Sequence, residues 1–214
     1  MTHKVGIIKP SNRPGLRAAE ELLAILPSGT IELLHDNLDI YHGTPDELRE
    51  AIVQYDPRVA DMAKRGADLI HPAGAPPLLL GYAGEQALIA RWKAAYGVPV
   101  FTTGSSQVNA LRALGVKSIV GVSYIHGDIV KRFSRYFDEA GFHVLDFVGM
   151  EVPFQDVPKI PPAEVYEFVK AQFLRNSSAD AIYMLGPAWR TMDLIEVWEK
   201  EFGVPVVHHV PSQS

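Results

Sequence analysis

Cysteine is absent from these 214 residues. That excludes disulfides, thiolate metal sites and a cysteine nucleophile. No basic block occurs and the net charge is −5, which argues against nucleic acid as a partner. No apolar run approaches the ~18 residues of a membrane-spanning helix, so no membrane partner is expected. Neither the P-loop nor the Gly-x-Gly-x-x-Gly spacing is met, and a nucleotide cofactor is not expected. Met1-Thr2-His3-Lys4 leads straight into a strand pattern instead of a secretory leader, so a cytoplasmic location is the expectation. With these removed, 47% hydrophobic and 21% charged residues remain. That is the composition of an ordinary globular protein with a sizeable core.

The chain nearly repeats itself. Ala67-Asp68-Leu69-Ile70 runs on to Gly74, and Ala179-Asp180-Ala181-Ile182 runs in the same register to Gly186. WKAAYGVPV (92–100) recurs as WEKEFGVPV (198–206). Val5-Gly6-Ile7 and Val120-Gly121-Val122 open the two halves in loosely matching fashion. Apolar runs of strand length alternate with helical patterns throughout, which predicts parallel sheets with helices on both faces. Strands are expected at 5–9, 30–34, 67–71, 98–101, 118–122, 143–148, 179–185 and 204–208. Helices are expected at 16–25, 44–65 with Pro57 as a candidate break, 82–95, 106–115, 128–140, 163–175 and 190–202. Thr44-Pro45-Asp46-Glu47 has the form of a capping box with proline at the first helical position.

The expected fold is therefore α/β, with two pseudo-symmetric Rossmann-like lobes. Each lobe is a parallel four-stranded sheet flanked by helices, and the active site lies in the cleft between them. Residues 1–116 and 117–214 are the expected lobes, and the strand and helix near 98–115 can cross between them. A loop at 149–162 carries four prolines and is a candidate cover. The tail stops after a strand, where a fold of this kind normally continues into a final helix.

In parallel sheets the loops after the strands carry function. Asn12, in Pro10-Ser11-Asn12, is a carboxylate-binding amide or a turn residue. After the third strand, His71 is an acid/base, a metal ligand or a core residue. Ala73, Gly74 and Ala75 follow it with N–H groups suited to an anion. Tyr124, His126 and Asp128 follow the first strand of the second half, where capping is the alternative role of His126 and Asp128. Gly186 and Pro187 lead to Trp189, a substrate roof or a core residue, and to Arg190, a carboxylate clamp or a helix-surface residue. His208 and His209 end the last strand. With His71 and His126 they offer nitrogens for a metal, but no spacing requires one, and none is expected.

Several of these residues resemble the aspartate/glutamate racemase superfamily, most closely its maleate cis-trans isomerase and arylmalonate decarboxylase branch. The likeness spans nearly the whole chain. It is strongest from Gly97 to Ile125, through Thr102-Thr103 and Asn109-Ala110-Leu111-Arg112-Ala113-Leu114-Gly115-Val116. Pro10-Ser11-Asn12 is similar to the isomerases' Pro-Ser-Ser-Asn loop, Tyr124 to the branch's active-site tyrosine, and Arg190-Thr191 to the end of its second cysteine motif. The superfamily usually places one cysteine in each lobe. Here the first position falls on Ala73 or Gly74 and the second on Gly186. Two-base thiol racemisation and cysteine-adduct isomerisation are thereby excluded.

What the resemblance implies is a cofactor-independent enzyme for a small carboxylic acid, working as a homo-oligomer. A decarboxylase-like lyase is the first expectation. His71, Tyr124 or His126 would return the proton, and Leu78, Leu79, Leu80, Trp189 and Met192 would form an apolar wall. The alternatives are a hydrolase or hydratase, in one version metal-assisted through His71 and His126, and a non-catalytic carboxylate-binding protein.

Overall fold

The computed structural model describes residues 2–10, 29–40, 42, 44–74, 76–153, 155–186, 188–209 and 211. Strands and helices are interspersed along the chain, and every strand pair is parallel. The first sheet contains β1 (His3–Lys9), β2 (Ile31–Asn37) and β3 (Leu69–Pro72), in the order β2-β1-β3. The second contains β4 (Ser118–Ser123), β5 (His143–Gly149), β6 (Ala181–Leu185) and β7 (Val206–His208), in the order β5-β4-β6-β7. Helices α1 (Pro45–Lys64), α2 (Gly81–Tyr96), α3 (Thr103–Ala113), α4 (Ile129–Glu139), α5 (Pro162–Arg175) and α6 (Ile195–Phe202) flank them. The helix expected at 16–25 lies outside the described residues.

The repeat has a physical basis. Asp68 and Asp180 sit just before equivalent strands. The Asp68 carboxylate accepts the Lys4 N–H at 2.9 Å, and the Asp180 carboxylate accepts those of Lys117 and Ser118 at 3.0 and 2.8 Å. Each aspartate thus pins the start of its sheet's central strand. Gly97 and Gly203 end α2 and α6 with φ of 68° and 71°, a left-handed cap that favours glycine. The glycines at 6 and 121 are not equivalent, however. Gly6 pairs with Ile70, whereas Gly121 pairs with Tyr183, the counterpart of His71. The loose match of the two openings slips by one residue, and each glycine makes room for a different neighbour, Met62 or Phe147.

A fourth strand was expected in the first sheet. Only a single bridge forms there, between Ile70 and Val100. Ile70 donates to Pro99 O at 3.0 Å and Phe101 donates to Ile70 O at 3.1 Å. The next rung needs an N–H from position 72, and proline has none. The counterpart in the second sheet is Met184, which can donate, and there β7 continues to His208.

The capping box forms, with Glu47 N–H donating to Thr44 Oγ1 at 3.2 Å. Pro57, the candidate break, leaves α1 continuous. The carbonyl that Pro57 leaves without a donor belongs to Val53, which is 72% exposed, so water can satisfy it. The helix expected from Arg190 starts late. A 3-10 turn at Met192–Leu194 comes first and α6 begins at Ile195. One core cluster runs from Ile8, Tyr55 and Trp92 through Val108 and Leu111 of α3 to Phe133, Phe137 and Tyr183. Helix α3 therefore packs against both halves. A second cluster lies between the second sheet and α5 and α6. Val157, from the proline-rich loop, is buried in it.

Candidate active site

The carboxyl ends of the strands bring together part of the expected site. His71 is the last residue but one of β3 and is 1% exposed. Its ring stacks on Phe101 at 4.3 Å, nearly parallel, and its Nδ1 lies 3.2 Å from Phe101 O. A carbonyl only accepts, so Nδ1 carries the hydrogen and Nε2 is the basic nitrogen of the neutral ring. This carbonyl is the one left unserved by Pro72. Two residues on, the chain turns at Gly74, with φ 101°.

The expected anion donors of this turn have other partners. Ala73 N–H donates to Ile8 O at 2.9 Å, and Gly74 N–H donates to Thr103 Oγ1 at 2.9 Å. The tight return of the chain aims both at protein acceptors, a correction to their expected role. Ala75 lies outside the described residues, as do Asn12 and Pro187. Gly186 is buried, and the expected helix N-terminus does not follow it directly, since α6 starts only at Ile195.

Tyr124 and Trp189 meet edge to face at 5.6 Å. Both belong to the second cluster, where Trp189 also packs against Phe168. Trp189 is 2% exposed, and its Nε1–H has no hydrogen-bond partner among the described residues. His126 and Arg190 are exposed, so neither joins the buried group. His71 and His126, considered together for a metal, thus differ in setting. Asp128 makes no capping bond and pairs with Lys131 instead. The expected apolar wall divides. Leu78 is in the main core, Trp189 in the second cluster, and Met192 against Val5, Ile7 and Ala73 of the first sheet. Leu79 lines a cavity of about 120 Å³ with Arg49, Asp128, Ile129 and Arg132.

One polar assembly escaped the sequence reading, and a second was legible there only in part. The first is centred on Glu85 of α2, which is fully buried. It accepts from Thr102 Oγ1 at 2.6 Å and from the Tyr136 hydroxyl of α4. Burial pushes its carboxyl up to about 7, against the opposing effect of those two hydroxyls. Thr102 caps α3, and the next residue, Thr103, receives Gly74 N–H. The Glu85 carboxyl group is thus linked to the Gly74 turn through the side chains of Thr102 and Thr103, at the start of α3. Glu85, Leu88 and Trp92 are the buried residues of α2. An acid at helical spacing from two large apolar residues was the available signal.

The second assembly consists of His208 and His209, read from the sequence only as candidate metal ligands. They are 1% and 3% exposed. The His208 Nε2 lies 3.3 Å from the hydroxyl of buried Thr191. Burial pushes His208 down to about 4. His209 is held well below its ordinary value by burial and by repulsion from His208 and His71. Among the described residues, no three His, Asp or Glu side chains are grouped so that they could hold a metal ion.

The sequence model of arylmalonate decarboxylase matches residues 24–212. The chain belongs to the arylmalonate decarboxylase family. It is 25% identical to arylmalonate decarboxylase of Bordetella bronchiseptica, over 78% of this chain and 69% of that protein. In fold it resembles Nocardia farcinica maleate cis-trans isomerase, solved as a cysteine-to-serine variant with a covalently bound succinylcysteine intermediate. That structure has a TM-score of 0.88 and 21% identity, covering 100% of this chain and 90% of the other. A crystal structure of arylmalonate decarboxylase matches with a TM-score of 0.78 and 23% identity, covering 98% and 88%. These relatives are decarboxylase and isomerase enzymes.

The resemblance places the family's cysteines at Ala73 or Gly74 and at Gly186, and both glycines are crowded. A Cβ at Gly74 would lie 2.3 Å from Pro10 Cγ, and one at Gly186 would lie 2.4 Å from Trp189 Cε3. Both distances are far inside van der Waals contact. The space for a cysteine side chain is occupied at each position.

Proposed function

We propose that this member of the arylmalonate decarboxylase family is a lyase for a small carboxylic acid, working without cofactor and without thiol. Decarboxylation is the favoured reaction. The carbon–carbon bond to one carboxylate breaks, CO2 leaves, and the electron pair stays on the adjacent carbon as an enediolate. A proton then returns to that carbon. The observation that carries this reading is His71, a buried imidazole at the end of β3 beside the Gly74 turn, with Nδ1 tied to a carbonyl. With the hydrogen on Nδ1, Nε2 is the nitrogen that would take up and return the proton, work that suits histidine near neutral pH. Tyr124 and the Gly186 backbone are the candidates to meet the developing anion. Asn12 and Arg190 are the candidates to orient the remaining carboxylate.

The test is a proton-NMR screen in D2O against substituted malonates and maleate-like diacids, followed by His71→Gln. Loss of a carboxylate with deuterium entering the adjacent carbon, and a drop of at least about 100-fold in turnover in the variant, would support the reading. Full turnover in a folded His71→Gln protein would end the assignment to His71. The second reading, a carboxylate-binding protein, is favoured by the filled thiol positions at Gly74 and Gly186. Binding of diacids with no chemical change over days would favour it.

A further inference from the structure

Glu85 is a fully buried carboxyl group that the proposed chemistry does not use. The groups that meet it are the hydroxyls of Thr102 and Tyr136, and among the described residues it has no basic partner. An acid in that setting is a costly way to fill a core position. Its bond to Thr102 gives it a task. Past the bridge between Ile70 and Val100, Pro72 has no N–H with which to hold the neighbouring chain. Residues 101–103 nevertheless support two features of the candidate site. The Phe101 carbonyl and ring meet His71, and the Thr103 hydroxyl accepts the Gly74 N–H.

Between these two supports, the Thr102 hydroxyl is engaged on both sides. Its Oγ1 accepts the Ser105 N–H at 3.1 Å, and its one hydrogen points at Glu85 Oε1, 2.6 Å away. Gly104 lets the first turn of α3 lie against the carboxyl group. A Cβ there would come within 2.8 Å of Glu85 Oε1 and 2.6 Å of the Tyr136 hydroxyl oxygen. The second half pairs the corresponding positions. Glu85 stands seven residues before Trp92 and Thr102 ten after it. Thr191 and His208 stand at the same distances from Trp198, and the Thr191 hydroxyl lies 3.3 Å from His208 Nε2. The repeat thus carries this pairing as well as the helix caps.

We propose that Glu85 is a positioning residue of the candidate site: by holding Thr102 it fixes the Phe101 carbonyl that orients His71 and the Thr103 hydroxyl that holds the Gly74 turn. The inference rests on the acid/base reading of His71 given above. It adds that the orientation of the imidazole is set from α2, by a side chain fully removed from solvent. Either protonation state of the carboxyl group can serve, since each leaves an oxygen to accept from Thr102.

Long-range proton–nitrogen NMR of the isotope-labelled full chain at pH 8, where a free histidine is neutral, reads the tautomer of His71. Its signals are assigned by their absence in His71→Gln. Amide hydrogen exchange reads the Gly74 N–H, taken relative to Tyr183 in the core. The expected wild-type signature is hydrogen on Nδ1, and hydrogen on Nε2 would overturn the inference at once. Glu85→Gln keeps an acceptor for Thr102 and should retain both signatures. Glu85→Leu should bring in the second tautomer and speed Gly74 exchange about tenfold relative to Tyr183. Tyr136→Phe removes the other hydroxyl, leaves the Thr102 bond and should match the wild type. A folded Glu85→Leu protein with wild-type His71 signals and Gly74 rate would overturn the inference. So would changes in Tyr136→Phe as large as those in Glu85→Leu, which would mark a general loosening. Should Glu85→Leu not fold, Thr102→Val breaks the same bond from its other end, and an unaltered His71 there would overturn the inference equally. Neither readout needs a substrate, so a failure of the lyase reading shows in the D2O screen and not in these signatures.

Discussion

Replacing Glu85 by glutamine should stabilise this protein at alkaline pH. Glu85 is fully buried, and its carboxyl is pushed from 4.5 up to about 7. The folded state therefore holds this proton more tightly than the unfolded chain does. Its contribution is fully present below about pH 4.5 and is lost as pH rises to about 7. At ~1.36 kcal/mol per pH unit, the loss is on the order of 3 kcal/mol. His208, pushed down to about 4, acts in the opposite sense. Its folded form refuses a proton that the unfolded chain accepts, so stability is lost as pH falls from about 6.5 to about 4. Across pH 4.5–6.5 the Glu85 slope opposes those of His208 and His209 in the wild type. Glutamine keeps the shape and can pair with the rotatable hydroxyls of Thr102 and Tyr136. In Glu85→Gln only the histidine slope remains. Urea unfolding at pH 5 and pH 8 should show the variant gaining about 2–3 kcal/mol over the wild type between the two. An equal difference at both pH values, or a variant less stable than the wild type at pH 8, would refute the reasoning.

Gly74→Cys and Gly186→Cys, at two of the positions where the resemblance would place the family's cysteines, should not create a thiol enzyme. Gly74 has φ 101° and Pro10 in the way, and Gly186 has Trp189. Each substitution should cost about 1–3 kcal/mol in chemical denaturation, and a wild-type midpoint would contradict the packing argument. Tyr183 donates to Gln107 Oε1 at 2.8 Å in the core, where Gln107 Nε2 already has no partner among the described residues. Tyr183→Phe should destabilise by about 1–3 kcal/mol. Adding Gln107→Leu should recover most of that loss, and a purely additive double-mutant cycle would contradict the pairing.

The sequence disclosed features that the backbone enforces locally. Gly97 and Gly203 must end helices in the left-handed region, and Asp68 and Asp180 must meet the N–H groups of neighbouring strands. These positions carry the repeat, and through it the two-sheet order. Features that depend on which side chains meet were less legible. Gly6 and Gly121 look alike in letters, yet face different neighbours because strand register is set by pairing. Arg190 looked helical, but the turn at Thr191 delays α6. Glu85 gave a weak signal, since one acid on an apolar face does not reveal Thr102 and Tyr136 from elsewhere in the chain. The histidines were visible as strand ends. Their burial, with the Thr191 hydroxyl against His208, depends on tertiary packing that no local pattern encodes.

Pro72 has a reach beyond its own strand. By omitting one main-chain donor, it leaves the Phe101 carbonyl available to a side chain, and the nearest ring takes it. The choice between two imidazole tautomers is thus made by an imino acid that touches no proton. Pro72→Ala would let an amide compete for that oxygen while leaving every ionisable residue of the cleft in place. A comparison restricted to ionisable side chains would pass over the position that decides which nitrogen of His71 carries the hydrogen.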